Sequence, residues 1–101
     1  MIKIVITTTD NDKTKNEIIF NLLEKKLAAC IQVKEIYSFY LWEGNVEKAK
    51  EVLILIKTLP ELVEKVKEEI KKAHNYKIPE ILVLEGEVNE DYLNWMKKVT
   101  Q

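Results

Sequence analysis

A chain of 101 residues, 47% hydrophobic and 33% charged, has the size and composition of one globular domain, and residues 1–101 are read here as a single unit. Its net charge of −1, and the absence of arginine among its 16 basic residues, argue against nucleic acid or an anionic membrane as partner and against bidentate phosphate recognition. One cysteine excludes an intrachain disulfide, and no apolar run reaches the about 18 residues of a membrane span. The start, Met1-Ile2-Lys3-Ile4-Val5-Ile6, lacks the basic flank and cleavage site of a signal peptide, so a cytoplasmic location is expected.

Residues 3–8 read as a first strand, with Ile4, Val5 and Ile6 central. Thr9-Asp10-Asn11-Asp12 offers several capping side chains, and the helix after it is expected to bury Ile18, Ile19, Leu22, Leu23 and Leu27. Lys25 and Lys26 fall in its last turn, where cations suit the dipole.

Residues 30–42 and 46–58 read as two long strands joined at Glu43-Gly44-Asn45, with Gly44-Asn45 as the positive-φ pair of a tight hairpin. Each strand is about 13 residues, or roughly 40 Å, against a usual 5–6 residues. From Ile36 to Trp42 both faces are apolar or aromatic apart from Ser38. A chain of this size cannot cover such a strand alone. We therefore expect Ile36, Tyr37, Phe39, Tyr40, Leu41 and Trp42 to pack against further copies of the chain.

Thr58-Leu59-Pro60-Glu61 fits a capping box for a second helix running to about residue 73. Its apolar stripe is Leu62, Val63, Val66, Ile70 and Ala73, with Glu61–Lys65 and Glu68–Lys72 as i,i+4 pairs on a solvated face. A non-helical connection, His74-Asn75-Tyr76-Lys77-Ile78-Pro79-Glu80, leads to a nearly all-apolar strand, 81–84, expected to be covered on both faces. Asn89 then caps a short helix carrying Tyr92, Leu93, Met96 and Val99. The order β-α-β-β-α-β plus a helix predicts an α+β, ferredoxin-like sandwich: one antiparallel sheet, both long helices on one face, the other face bare.

Most catalytic chemistries lack their parts. Ser38 is the only serine and lies inside a strand without an evident base, there is no Cys-x-x-Cys, and no glycine-rich phosphate loop exists. The third strand also lacks the stacking aromatics of an RNA-recognition domain. Cys30 is read as a small packed thiol. His74, the only histidine, suits either the last carbonyls of the helix before it or a soft or borderline metal, with Glu80, Glu43 or a neighbouring subunit supplying further ligands. Trp42 and Tyr76 are read as anchors with a polar tip, and a cleft gathering Lys57, Tyr76 and Glu80 would suit a small anionic ligand.

Leu27-Ala28-Ala29-Cys30, Ile36-Tyr37 through Tyr40-Leu41-Trp42-Glu43-Gly44, Glu51-Val52 with Ile56-Lys57-Thr58, His74-x-Tyr76-x-x-Pro79-Glu80-Ile81 and Tyr92-Leu93-x-Trp95 together resemble the CutA family of divalent-cation tolerance proteins, across essentially the whole chain. The resemblance implies a tight homotrimer of ferredoxin-like subunits, with the long hairpin packed across subunits. It also implies a cytoplasmic protein linked to metal tolerance and copper binding, and no enzymatic role. Bacterial members tied to copper carry a cysteine and a His-His pair where this chain has Ile6, Ala73 and His74, which leaves His74 as the metal ligand. On this reading copper or another divalent cation, or a small ligand, binds an inter-subunit cleft lined by Trp42, Glu43, Lys57, Tyr76 and Glu80. The rival reading is a trimer like the PII-type regulators, binding an effector or a protein partner and no metal. An enzyme is disfavoured because no nucleophile–base pair can be named.

Overall fold

The computed structural model describes residues 1–100. The elements are β1 (Ile2–Thr9), α1 (Asp12–Glu24), β2 (Cys30–Trp42), β3 (Asn45–Thr58), α2 (Val63–Ala73), β4 (Leu82–Gly86) and α3 (Glu90–Val99), with a 3₁₀ turn, Pro60–Leu62, leading into α2. The four strands make one antiparallel sheet in the order β2-β3-β1-β4. This is the ferredoxin-like arrangement with one added helix.

Alternation along the strands sorts the side chains into two layers. On one face Val5, Ile54 and Ile56 are fully buried, in one cluster with Ile18 and Leu22 of α1 and Val66 and Ile70 of α2. On the other face lie Ile4, Ile6, Leu53, Leu55, Leu82 and Leu84. That face is not wholly bare, as the element order alone suggests. The α3 helix lies over one end, where Tyr92 meets Lys57 and Cys30, facing residues of β3 and β2, and where Met96 is fully buried. The cover stops short of β4: Leu82 and Leu84 stay 44% and 45% exposed, so β4 is not covered on both faces.

Helix ends depart from expectation for local reasons. Asn11 caps α1 by accepting from the Thr14 N–H at 2.9 Å. At the other end Lys26 takes a left-handed conformation, φ 58°, and the amides of Lys26 and Leu27 return to the carbonyls of Leu23 and Leu22. This Schellman turn buries Leu27 and leaves Leu23 exposed and Ile19 half-buried. The predicted capping box at Thr58 does not form. Thr58 stays in β3 and its hydroxyl donates to the Leu27 carbonyl at 2.6 Å, so the 3₁₀ turn starts α2 without a side-chain cap. The apolar stripe Leu62, Val63, Val66, Ile70 and Ala73 faces the core as expected, but the expected i,i+4 pairs do not form. The ion pairs on α2 are Lys67–Glu64 and Lys72–Glu69, and Glu69 is buried with Lys25 of the α1 end at 2.9 Å, not on a solvated face. Asn89 precedes α3 as expected but makes no side-chain cap bond.

The β2–β3 hairpin is the longest feature, in continuous register from Cys30↔Lys57 to Trp42↔Asn45. β1 pairs with β3 only from Val52 to Thr58. Beyond that, residues 36–42 and 45–51 continue as a bare two-stranded ribbon, which draws the molecule out to 45 × 24 × 21 Å. Its turn residues with positive φ are Glu43 (48°) and Gly44 (81°), one position earlier than expected, because Asn45 already pairs with Trp42. Two positive-φ residues in a two-residue loop match the twist of the ribbon.

A candidate ligand cleft at the root of the ribbon

Ser38, Tyr40 and Trp42 of β2 share a face of the ribbon with Glu47, Ala49 and Glu51 of β3, since they are paired Ser38↔Ala49, Tyr40↔Glu47 and, for Glu51, with Ile36. The connection after α2 folds over the same side. Together with Thr8 and Asp10 at the end of β1, and Tyr76, Lys77, Ile78 and Glu80 of the connection, they enclose an open cleft of about 890 Å³. That is the size of a small-molecule site.

The connection is tied down at its start. Thr9 Oγ1 donates to Asn75 Oδ1 at 2.6 Å, and Asn75 Nδ2 donates to Asp10 Oδ1 at 2.9 Å. His74 Nδ1 accepts the Tyr76 N–H at 3.0 Å, and an accepting nitrogen carries no proton. The ring proton is therefore on Nε2, which donates to the Thr8 carbonyl at 2.7 Å. The two rings of His74 and Tyr76 pack at 4.8 Å. The Tyr76 hydroxyl then donates to Glu51 Oε2 at 2.5 Å across the cleft. Burial foremost, and then that carboxylate, push the Tyr76 phenol well above its ordinary 10, so it stays a proton donor.

Of the cleft residues expected from the sequence, Trp42, Tyr76 and Glu80 are brought together. Lys57 is not. It lies at the far end of β3 with its ammonium 5.7 Å from the Tyr92 ring, so one subunit does not bring Lys57 together with Tyr76 and Glu80. Glu43 sits in the hairpin turn and does not line the cleft. His74 bonds the strand carbonyl of Thr8, not the carbonyls of α2, and both its ring nitrogens are used within the chain. Cys30 is half-buried, beside Tyr92. Among the described residues, no group of three or more His, Cys, Asp or Glu side chains is close enough to hold a metal ion. The donor set of one subunit therefore does not fit a copper or zinc centre, which wants three or four ligands.

Sequence reasoning missed Asp10, Glu47 and Glu51. Four carboxylates (Asp10, Glu47, Glu51 and Glu80) line the cleft against one lysine, Lys77, which disfavours the small anion expected of it. The signal was available in the strand period. Once the turn is set at Glu43-Gly44, Glu47 and Glu51 must share a face with Tyr40 and Trp42.

A ferredoxin-like subunit with an overlong hairpin and a cleft at the hairpin's root is a recognisable class of small α+β protein. Residues 3–99 match the family model of CutA1 divalent ion tolerance protein, and the chain belongs to that family. It is 39% identical over 99 residues to the divalent-cation tolerance protein CutA of Pyrococcus horikoshii, covering 97% of each chain. The crystal structure of CutA1 from that organism superposes with a TM-score of 0.92 at 38% identity, over 98% of both chains. The structure described as a periplasmic divalent cation tolerance protein CutA from Archaeoglobus fulgidus gives 0.94 at 33% identity, over the whole of both.

Proposed function

We propose that this protein is a non-catalytic homotrimer that serves divalent-cation tolerance by binding cations in clefts at its subunit boundaries. The observation that carries the assembly is the ribbon. Tyr37, Phe39, Leu41 and Trp42 are 61%, 68%, 77% and 55% exposed, with Tyr40 and the half-buried Ile36 beside them. An isolated two-stranded ribbon this apolar is marginal in water and is stable once a second copy covers it. Charge balance supports the ligand class: four carboxylates against one lysine favour a cation. A divalent metal would be held weakly unless a neighbour completes its ligands, because one subunit offers no three-donor group.

No helix among the described residues is long and apolar enough to cross a membrane, and a cytoplasmic site of action is part of this proposal. The test is native mass spectrometry of metal-stripped protein with and without Cu(II), alongside Tyr40→Asp. The wild type should be a trimer that takes up copper only weakly, and Tyr40→Asp should give monomers, because a charge buried in an apolar contact costs several kcal/mol. A monomeric wild type, or an intact Tyr40→Asp trimer, would sink the ribbon packing.

A further inference from the structure

We infer that the cleft selects an extended organic polycation, an aliphatic di- or polyamine, over a bare divalent metal ion. The inference rests on the cation-binding reading above and narrows its ligand.

Three observations lead to it. The first is Glu51. It is more than nine-tenths buried, it lines the cleft, and it has no cationic partner among the described residues. Its Oε2 is bonded by the Tyr76 hydroxyl, whereas no donor in the described chain meets Oε1. Oε1 is therefore open to the cleft, and a largely enclosed carboxylate with a free acceptor and no counter-charge offers an ammonium group a ready partner.

The second is dispersion. Glu47 is the third residue of β3 after the turn, Glu51 lies four residues further toward the sheet, and Glu80 comes from the connection opposite. No three acidic groups converge on a single point among the described residues. A divalent metal needs its donors within about 2.0–2.6 Å of one centre. Ammonium groups separated by methylene spacers can meet carboxylates one at a time.

The third is the wall between those carboxylates. Tyr40, Trp42 and Tyr76 line the same cleft, and aromatic faces accept both the alkyl spacers and the ammonium groups. A hydrated inorganic ion would gain nothing from them. The volume of about 890 Å³ also suits a chain-like ligand and far exceeds one ion.

Isothermal titration of the intact protein with spermidine tests this, with tetramethylammonium and Mg²⁺ as compact cations and Cu²⁺ as the metal. Spermidine should saturate at one per cleft, and Glu51→Gln and Glu80→Gln should each weaken it at least tenfold with the oligomer unchanged by light scattering. Glutamine at 51 still accepts from Tyr76, so folding is preserved, and Glu80 is exposed, so its replacement tests charge alone. Spermidine binding no tighter than Mg²⁺ or tetramethylammonium, or indifferent to Glu51→Gln, would overturn the polyamine inference while leaving a cation cleft in place. Copper binding that needs Glu51 and Glu80, with no spermidine uptake, would do the same. Absence of uptake of every cation tested would remove the cation-binding reading as well.

Discussion

Glu69 carries two lysines on a side chain only 10% exposed: Lys25 at 2.9 Å and Lys72 at 3.6 Å. The hydrogen bond from Lys25 is the largest influence on its carboxyl and holds it below the ordinary 4.5, against the opposing effect of burial. A carboxylate depressed in the folded state adds stability above its unfolded pKa, and that stability is lost as pH falls through the folded value. Both lysines are half or more exposed, which weakens the pairs by screening. Glu69→Gln should therefore cost roughly 1 kcal/mol in urea unfolding at pH 7, and the difference should shrink as the pH drops below 4.5. An equal loss at pH 7 and pH 3 would mean that shape, not charge, is what Glu69 supplies. This residue was not legible in the sequence. Glu69 adjoins the predicted stripe of Val66 and Ile70, but its inward ion pair is made with Lys25 after α1, a contact that depends on how the two helices pack and not on α2 alone.

At the scale of elements, the connection from α2 to β4 behaves as a strapped loop with His74 as its buckle. One ring nitrogen holds the loop's own Tyr76 amide and the other holds β1, so the imidazole fixes the approach of Tyr76 to Glu51. His74→Ala should speed hydrogen exchange at the Tyr76 amide at least tenfold and lower stability by about 1–2 kcal/mol, with α2 still formed. An unchanged exchange rate would separate the histidine from loop positioning. The strands, their order and the hairpin were legible because β-branched and aromatic runs set period and length locally. The cleft was only half legible. Trp42, Tyr76 and Glu80 stood out as residues at strand and loop ends, but the placing of Lys57 needed the register, and Glu51 needed the parity that the Glu43-Gly44 turn decides.

For the whole molecule, the relevant quantity is apolar surface that one copy cannot hide. If three copies hide it together, folding and assembly share one equilibrium, and the melting temperature should rise with protein concentration. Scanning calorimetry over a hundredfold dilution series measures this directly. A melting temperature independent of concentration in the wild type would contradict coupled assembly. Tyr40→Asp should melt lower and lose the dependence.

The sheet also has a sequence in time. The ribbon joins chain neighbours across a two-residue loop, whereas Ile2 waits for Gly86 before β1 acquires its second partner. Local pairings close quickly and distant ones slowly. During synthesis, then, the sticky hairpin is finished and on display while the strand that completes the sheet is still inside the ribosome. If copies assemble through these ribbons, chains emerging side by side on one messenger would meet first through their hairpins, and assembly would begin before each sheet is complete.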